Sequence, residues 1–185
     1  MNKKINLIFG VHNHQPVGNF DGVFEESYEK AYKPFIEIIS QFPEIKITYH
    51  ISGSLLKWLI NKKPEFIEKL RNMVKIGQIE IIAGGFYEPI LPIIPDRDKT
   101  YQIKTYIEFL NKTFNVSPTG FWLAERVWEP HLAKFIGEAG CRYTVVDDYH
   151  FKSAGLSEDE LYGYFLTEEQ NISMNVFPIS EKLRY

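Results

Sequence analysis

The chain has 185 residues, room for one domain of ordinary size whose core covers most of its apolar surface. Charged residues make up 24% of it and the formal net charge is −3, so it carries no basic field to hold nucleic acid or an anionic membrane, and neither partner is expected. A single cysteine, Cys141, leaves no internal disulfide and no multi-cysteine zinc site, and the apolar run between Lys4 and His12 is too short for a signal core or a membrane span, so a cytoplasmic protein is expected.

Short β-branched runs alternate with amphipathic segments and no repeat or internal boundary is visible, which predicts a βαβα parallel sheet. Ile5–Phe9 reads as the first strand. Phe24–Ser40 reads as a helix, with Phe24, Tyr28, Tyr32, Phe35, Ile36 and Ile39 at three- and four-residue spacing. Ile45–Tyr49 is a second strand, Ser54–Ile60 a short helix opened by a serine cap, and Pro64–Ile76 a longer helix that begins on proline and stops at Gly77. Gln78–Ala83 is a third strand, Arg97–Thr113 a helix behind an Asp96 cap, and Thr119–Leu123 a fourth strand. Pro130–Ala139 is a helix ended by Gly140, Tyr143–Val146 a fifth strand, and Asn171–Phe177 reads as one more.

Five sets of polar residues follow these strands: His12 to Gln15; His50; Glu88; Glu125 with Arg126; and Asp147, Asp148 and His150. The loops before the strands carry Pro43, Gly77, Pro118 and Gly140 instead. In a parallel barrel the C-terminal strand ends share one face, where active sites are built from the following loops, so this asymmetry points to a site there.

Alternation places His12 and His14 on one side of the chain, able to hydrogen-bond a polar ligand, to hold a metal with further ligands, or simply to be satisfied by loop carbonyls. No His-Glu-x-x-His or His-x-x-x-His supplies such further ligands. Glu80 lies in an apolar strand and needs either a wet cavity or an ion-pair partner on the rim; alternation puts Gln78, Glu80 and Ile82 on one face. The segment Trp122-Leu-Ala-Glu-Arg-Val-Trp128 sets a carboxylate, a guanidinium and two indoles just past a strand end. Retaining glycosidic cleavage uses one carboxylate as nucleophile and another as acid/base, aromatic faces hold sugar rings, and a nearby arginine keeps a nucleophile ionised. A salt-bridged Glu125–Arg126 pair beside core tryptophans is the alternative. An aromatic content of 15% suits either a sugar site or a well-filled core. Of Asp147 and Asp148, adjacent in sequence, only one can face a site, and the other pairs locally.

His12-Asn-His-Gln-Pro16, Gly77-Gln-Ile-Glu-Ile-Ile-Ala-Gly-Gly85, Gly120-Phe-Trp-Leu-Ala-Glu-Arg-Val-Trp-Glu-Pro130 and Tyr143-Thr-Val-Val-Asp-Asp-Tyr-His-Phe151 together resemble glycoside hydrolase family 57, most of all its 4-α-glucanotransferases, with similarity from Ile5 to Tyr185. The resemblance implies an α/β fold of (β/α)7-barrel type, a retaining mechanism, α-1,4-glucan or maltooligosaccharide substrates and no cofactor or obligatory metal. It places the nucleophile on Glu125 and donor-sugar contacts on His12, His14, Glu80 and Trp122. The family's acid/base is an aspartate on a later strand, and no matching segment occurs before Tyr185. Residues 1–185 are therefore expected to be the N-terminal part of a catalytic barrel, about its first five or six βα units. Such a part is expected to be inactive alone and to associate with a separately encoded C-terminal part. A metal-dependent polysaccharide deacetylase and a non-catalytic sugar-binding remnant are the alternatives.

Overall fold

The computed structural model describes residues 6–184, and the chain divides into two compact units, Met1–Ile81 and Ile82–Tyr185. In the first, strands β1 (Gly10–Asn13), β2 (Ile47–Ile51) and β3 (Ile79–Ile81) form a parallel sheet in the order β1-β2-β3. Parallel neighbours need a crossover between them. Helices α1 (Asp21–Ser27) and α2 (Lys33–Ile39) serve the first crossover, and α3 (Gly53–Lys62) and α4 (Pro64–Lys75) the second.

The first strand lies further along than Ile5–Phe9, of which Ile5 is outside the described residues. Leu7, Ile8 and Phe9 are exposed, and of these only the Phe9 carbonyl takes a ladder bond, from the Thr48 N–H. The register is set at Gly10, opposite Thr48, where a Cβ would run into the Thr48 hydroxyl. The helix expected over Phe24–Ser40 is broken by a π turn, Tyr28–Tyr32, in which the Lys33 N–H donates to the Tyr28 carbonyl. Pro34 follows at once; it has no N–H to give, and its ring would press on the carbonyl four residues back, so the wider turn makes room. The serine that begins α3 is Ser52 rather than Ser54, and its hydroxyl does not cap the helix.

Ile47, Tyr49 and Ile51 of β2, with Ile79 and Ile81 of β3, are buried, as are Leu55, Leu56 and Leu59 of α3 and Phe66, Ile67, Leu70 and Met73 of α4. Gln78 precedes β3 and does not share the exposed face of Glu80: its buried amide donates to the Ile39 and Phe42 carbonyls, closing the end of α2.

In the second unit β4 (Gly120–Phe121), β5 (Tyr143–Asp147) and β7 (Ile172–Ile179) run parallel, and β6 (Phe165–Glu169) adds an antiparallel edge, giving the order β4-β5-β7-β6. The long helix α5 (Asp96–Phe114) starts one residue before Arg97, so Asp96 is not its cap; it pairs with Lys99 at 2.7 Å, and Asn115 ends the helix in the left-handed region at φ 56°. Helices α6 (Leu132–Glu138), α7 (Asp148–Ser153) and α8 (Glu181–Arg184) complete the unit. Ala83, expected at the end of the third strand, instead bridges Phe121 of β4. Strand β6 was not legible because its turn to β7 is Gln170-Asn171, both at positive φ (51° and 64°), where Asn-Gly is the usual signal. The core includes Ile103, Tyr106, Leu110, Phe121, Leu132, Ile136 and Val146. Cys141 is buried there, and burial pushes its thiol up to about 12. Among the described residues no helix is long and apolar enough to cross a membrane.

Candidate active site

In the first unit, register decides which side chains meet. Gly10, Thr48 and Glu80 lie abreast, as do His12 and His50 one pleat further on, so His12, His50 and Glu80 share one face of the sheet. The opposite face carries the buried Ile47, Tyr49, Ile51, Ile79 and Ile81. The His12 and His50 Nδ1 atoms are 2.9 Å apart, so one carries the proton and the other accepts it. The ring of His14, just past β1, stacks on that of His12 with centroids 5.9 Å apart and planes at 12°. His50 is fully buried, and burial first, then the nearness of His12 and His14, holds its pKa well below the ordinary value, leaving it neutral at physiological pH.

The loop after β1 is fixed by Gln15. Its amide donates to the Ser27 hydroxyl at 3.0 Å and to the Tyr32 phenol at 3.1 Å, while its side-chain oxygen accepts from Asn19 at 2.8 Å. Its backbone N–H donates to Ser52, and its carbonyl accepts from Ser54. Ser52 and Ser54 thus turn toward the histidine loop, and the Tyr32 phenol donates to the His14 carbonyl at 3.3 Å. This rigid frame leaves His12 exposed and His14 half-buried, a pair of imidazoles suited to hydrogen-bonding hydroxyls. Glu80 is exposed and lines a shallow groove with Phe9, Lys46 and Thr48.

In the second unit Trp122 is half-buried, and its backbone N–H donates to the Ala83 carbonyl at 2.8 Å. Glu125 is exposed and sits in a tight turn, Ala124–Arg126, with φ 53° and ψ 10°; Arg126 follows at φ 55°. The alternative reading, a salt-bridged Glu125–Arg126 pair, is not what forms. The Arg126 Nε donates to Asp147 Oδ2 at 2.8 Å, and Arg184 reaches the other Asp147 oxygen at 3.4 Å. Both residues lie in the left-handed region; Glu125 is exposed to solvent, and the Arg126 guanidinium is fastened to Asp147. A nucleophile needs this combination of access and fixed presentation.

Asp148 pairs within its own helix to Lys152 at 2.8 Å, and that bond holds its carboxyl below the ordinary range. It is a poor general acid on that account. Asp147 is engaged by two arginines, so neither aspartate is placed to act as the second carboxylate. His50 and Asp147 stand in sequence among the polar residues that follow the strands, but neither the pairing of His50 with His12 nor that of Asp147 with Arg126 was expected. The signal for His50 was available: with β1 and β2 parallel neighbours, a histidine at the end of each falls abreast.

Residues 8–185 match the family described as Glycosyl hydrolase family 57. The chain is 57% identical over its whole length to "Alpha-amylase 1" of Dictyoglomus thermophilum, of which it covers 27%. It is 51% identical over 183 residues to the 4-alpha-glucanotransferase of Thermococcus litoralis, of which it covers 28%. The crystal structure of that glucanotransferase superposes with a TM-score of 0.95 over 99% of this chain and 29% of its own. The chain thus spans a little more than a quarter of the length of these curated relatives. The α/β class with parallel strands and intervening helices, expected from sequence as part of a (β/α)7-type fold, agrees with that match.

Proposed function

The chain belongs to glycosyl hydrolase family 57, and from that premise we propose that it supplies part of the active site of a retaining α-glucan-active enzyme, of 4-α-glucanotransferase or α-amylase type, with Glu125 as nucleophile. The observation that carries this reading is the exposed Glu125 on its left-handed turn, next in sequence to an arginine whose guanidinium is fastened to Asp147. In the proposed reaction the Glu125 carboxylate attacks the anomeric carbon of an α-1,4-linked glucose, and a glycosyl ester forms as the bond to the leaving oxygen breaks. That oxygen takes its proton from a carboxylic acid on a later strand, which then, as base, takes the proton of the incoming water or sugar hydroxyl. His12, His14, Glu80 and Trp122 are proposed to hold the donor sugar, the imidazoles and Glu80 through its hydroxyls and the indole through its apolar face. The acid/base would come from the remaining part of the protein, or from a separately encoded C-terminal part.

The test grafts this chain in place of the matching segment of the Thermococcus litoralis 4-alpha-glucanotransferase and measures maltooligosaccharide disproportionation. Glu125→Gln is expected to lower kcat by about three orders of magnitude or more, and rapid quenching of the graft to show a glucosyl ester on Glu125 by mass spectrometry. Full turnover by Glu125→Gln would overturn the assignment. A metal-dependent deacetylase would need aspartate as well as histidine ligands, and the engagement of Asp147 by Arg126 and of Asp148 by Lys152 weighs against that reading.

A further inference from the structure

The segment that presents Glu125 is the most strained one bearing a candidate site residue. The Val127 N–H donates to the Ala124 carbonyl, closing a four-residue turn whose two central residues, Glu125 and Arg126, both lie at positive φ. Such turns ordinarily take asparagine or glycine there, because a Cβ is strained in that region. Glutamate and arginine persist in it only if the surroundings hold them.

What holds Arg126 is visible. Phe121 of β4 lies opposite Thr144 of β5, and the Ala124–Arg126 turn that follows β4 lies against β5. The Arg126 guanidinium reaches Asp147, with the arginine side chain 19% exposed. Asp147 is also the residue before the first turn of α7, where an aspartate ordinarily bonds the helix's own free N–H groups. It makes no such bond; its two oxygens face Arg126 and Arg184 instead. The carboxylate forgoes local capping to fasten the neighbouring turn.

We propose that Asp147 is a positioning residue, which clamps Arg126 and thereby holds the left-handed turn that presents the Glu125 carboxylate. This rests on the reading of Glu125 as nucleophile only for its catalytic consequence; the clamp itself is a property of the second unit. A carboxylate that must meet an anomeric carbon in line loses rate when its turn wanders, since misplacement by about 1 Å costs on the order of a hundredfold.

The test has two readouts. On the 185-residue chain, Asp147→Ala is expected to speed hydrogen exchange of the Arg126 and Val127 amides about tenfold or more. It should also move the backbone couplings of Glu125 and Arg126 away from their positive-φ values, with the β5 and β7 amides unchanged. Asp147→Asn, which keeps an acceptor oxygen, should restore most of the protection. Arg126→Lys, which keeps the charge but loses the planar fork, asks the same question should Asp147→Ala fail to fold. An unchanged turn, or a uniform loss of protection across the unit, overturns the clamp. In the glucanotransferase graft, Asp147→Ala should lower kcat about tenfold to a hundredfold with KM within about threefold, and unchanged kcat overturns the positioning role. Should the exchange respond while Glu125→Gln leaves turnover intact, the nucleophile assignment fails and the clamp stands.

Discussion

A neutral imidazole sealed inside a fold ties stability to pH, and His50 is such a group. Its folded pKa is depressed below the unfolded value of about 6.5, so the unfolded chain takes up a proton first as pH falls. The contribution of neutral His50 is therefore complete above about pH 6.5 and is lost as pH drops from there toward the folded pKa, at up to about 1.4 kcal/mol per pH unit. Urea denaturation at pH 7 and pH 5.5 should show this loss, and His50→Gln should flatten it; an identical slope in the variant would rule out His50 as its source. Gly120 offers a second test. A Cβ there would strike the Tyr143 ring and the Ile82 side chain, so Gly120→Ala should cost about 1–3 kcal/mol in chemical denaturation. Partners at this scale were the least legible in sequence. Arg126 reads as the neighbour of Glu125, yet its bond runs to Asp147, 21 residues on, a contact made possible by the parallel pairing of β4 with β5.

Elements were read more reliably than their ends, and the errors have local causes. The apolar run Ile5–Phe9 looks more like a strand than Gly10–Asn13 does, but the ladder needed a residue without a Cβ opposite Thr48. The strand expected over Gln78–Ala83 shrinks to Ile79–Ile81 because Gln78 is drawn off to the carbonyls at the end of α2. Helix α4 matched its expected span nearly throughout, since proline at its start and glycine past its end act through the backbone alone. The β6–β7 turn is open to improvement: Gln170→Asn with Asn171→Gly should fit both positive φ values and stabilise by about 0.5–1 kcal/mol. A lower thermal midpoint for the double variant would contradict a two-residue hairpin at this place.

For the whole molecule, the family was legible because motifs in order span the chain, and the same reach explains what was hidden. The chain covers 27% and 28% of two of its curated relatives, and its motifs carry one of the two carboxylates the proposed mechanism needs. Under the proposed mechanism, the 185-residue chain by itself should show no disproportionation of maltooligosaccharides, and the graft should show it. Turnover by the isolated chain would require an acid among its own carboxylates, against the engagement of Asp147 and Asp148.

Cys141 gives the second unit a chemical clock. The residue is 3% exposed, and its thiol sits 3.7 Å from the Pro118 carbonyl and is held protonated by burial, so a thiol reagent at neutral pH finds almost no thiolate while the unit is closed. With one cysteine in the chain, each labelling event has a single address. The modification rate then counts openings of the packing around Cys141, and its dependence on denaturant would report how much of the unit must come apart before Glu125 loses its footing.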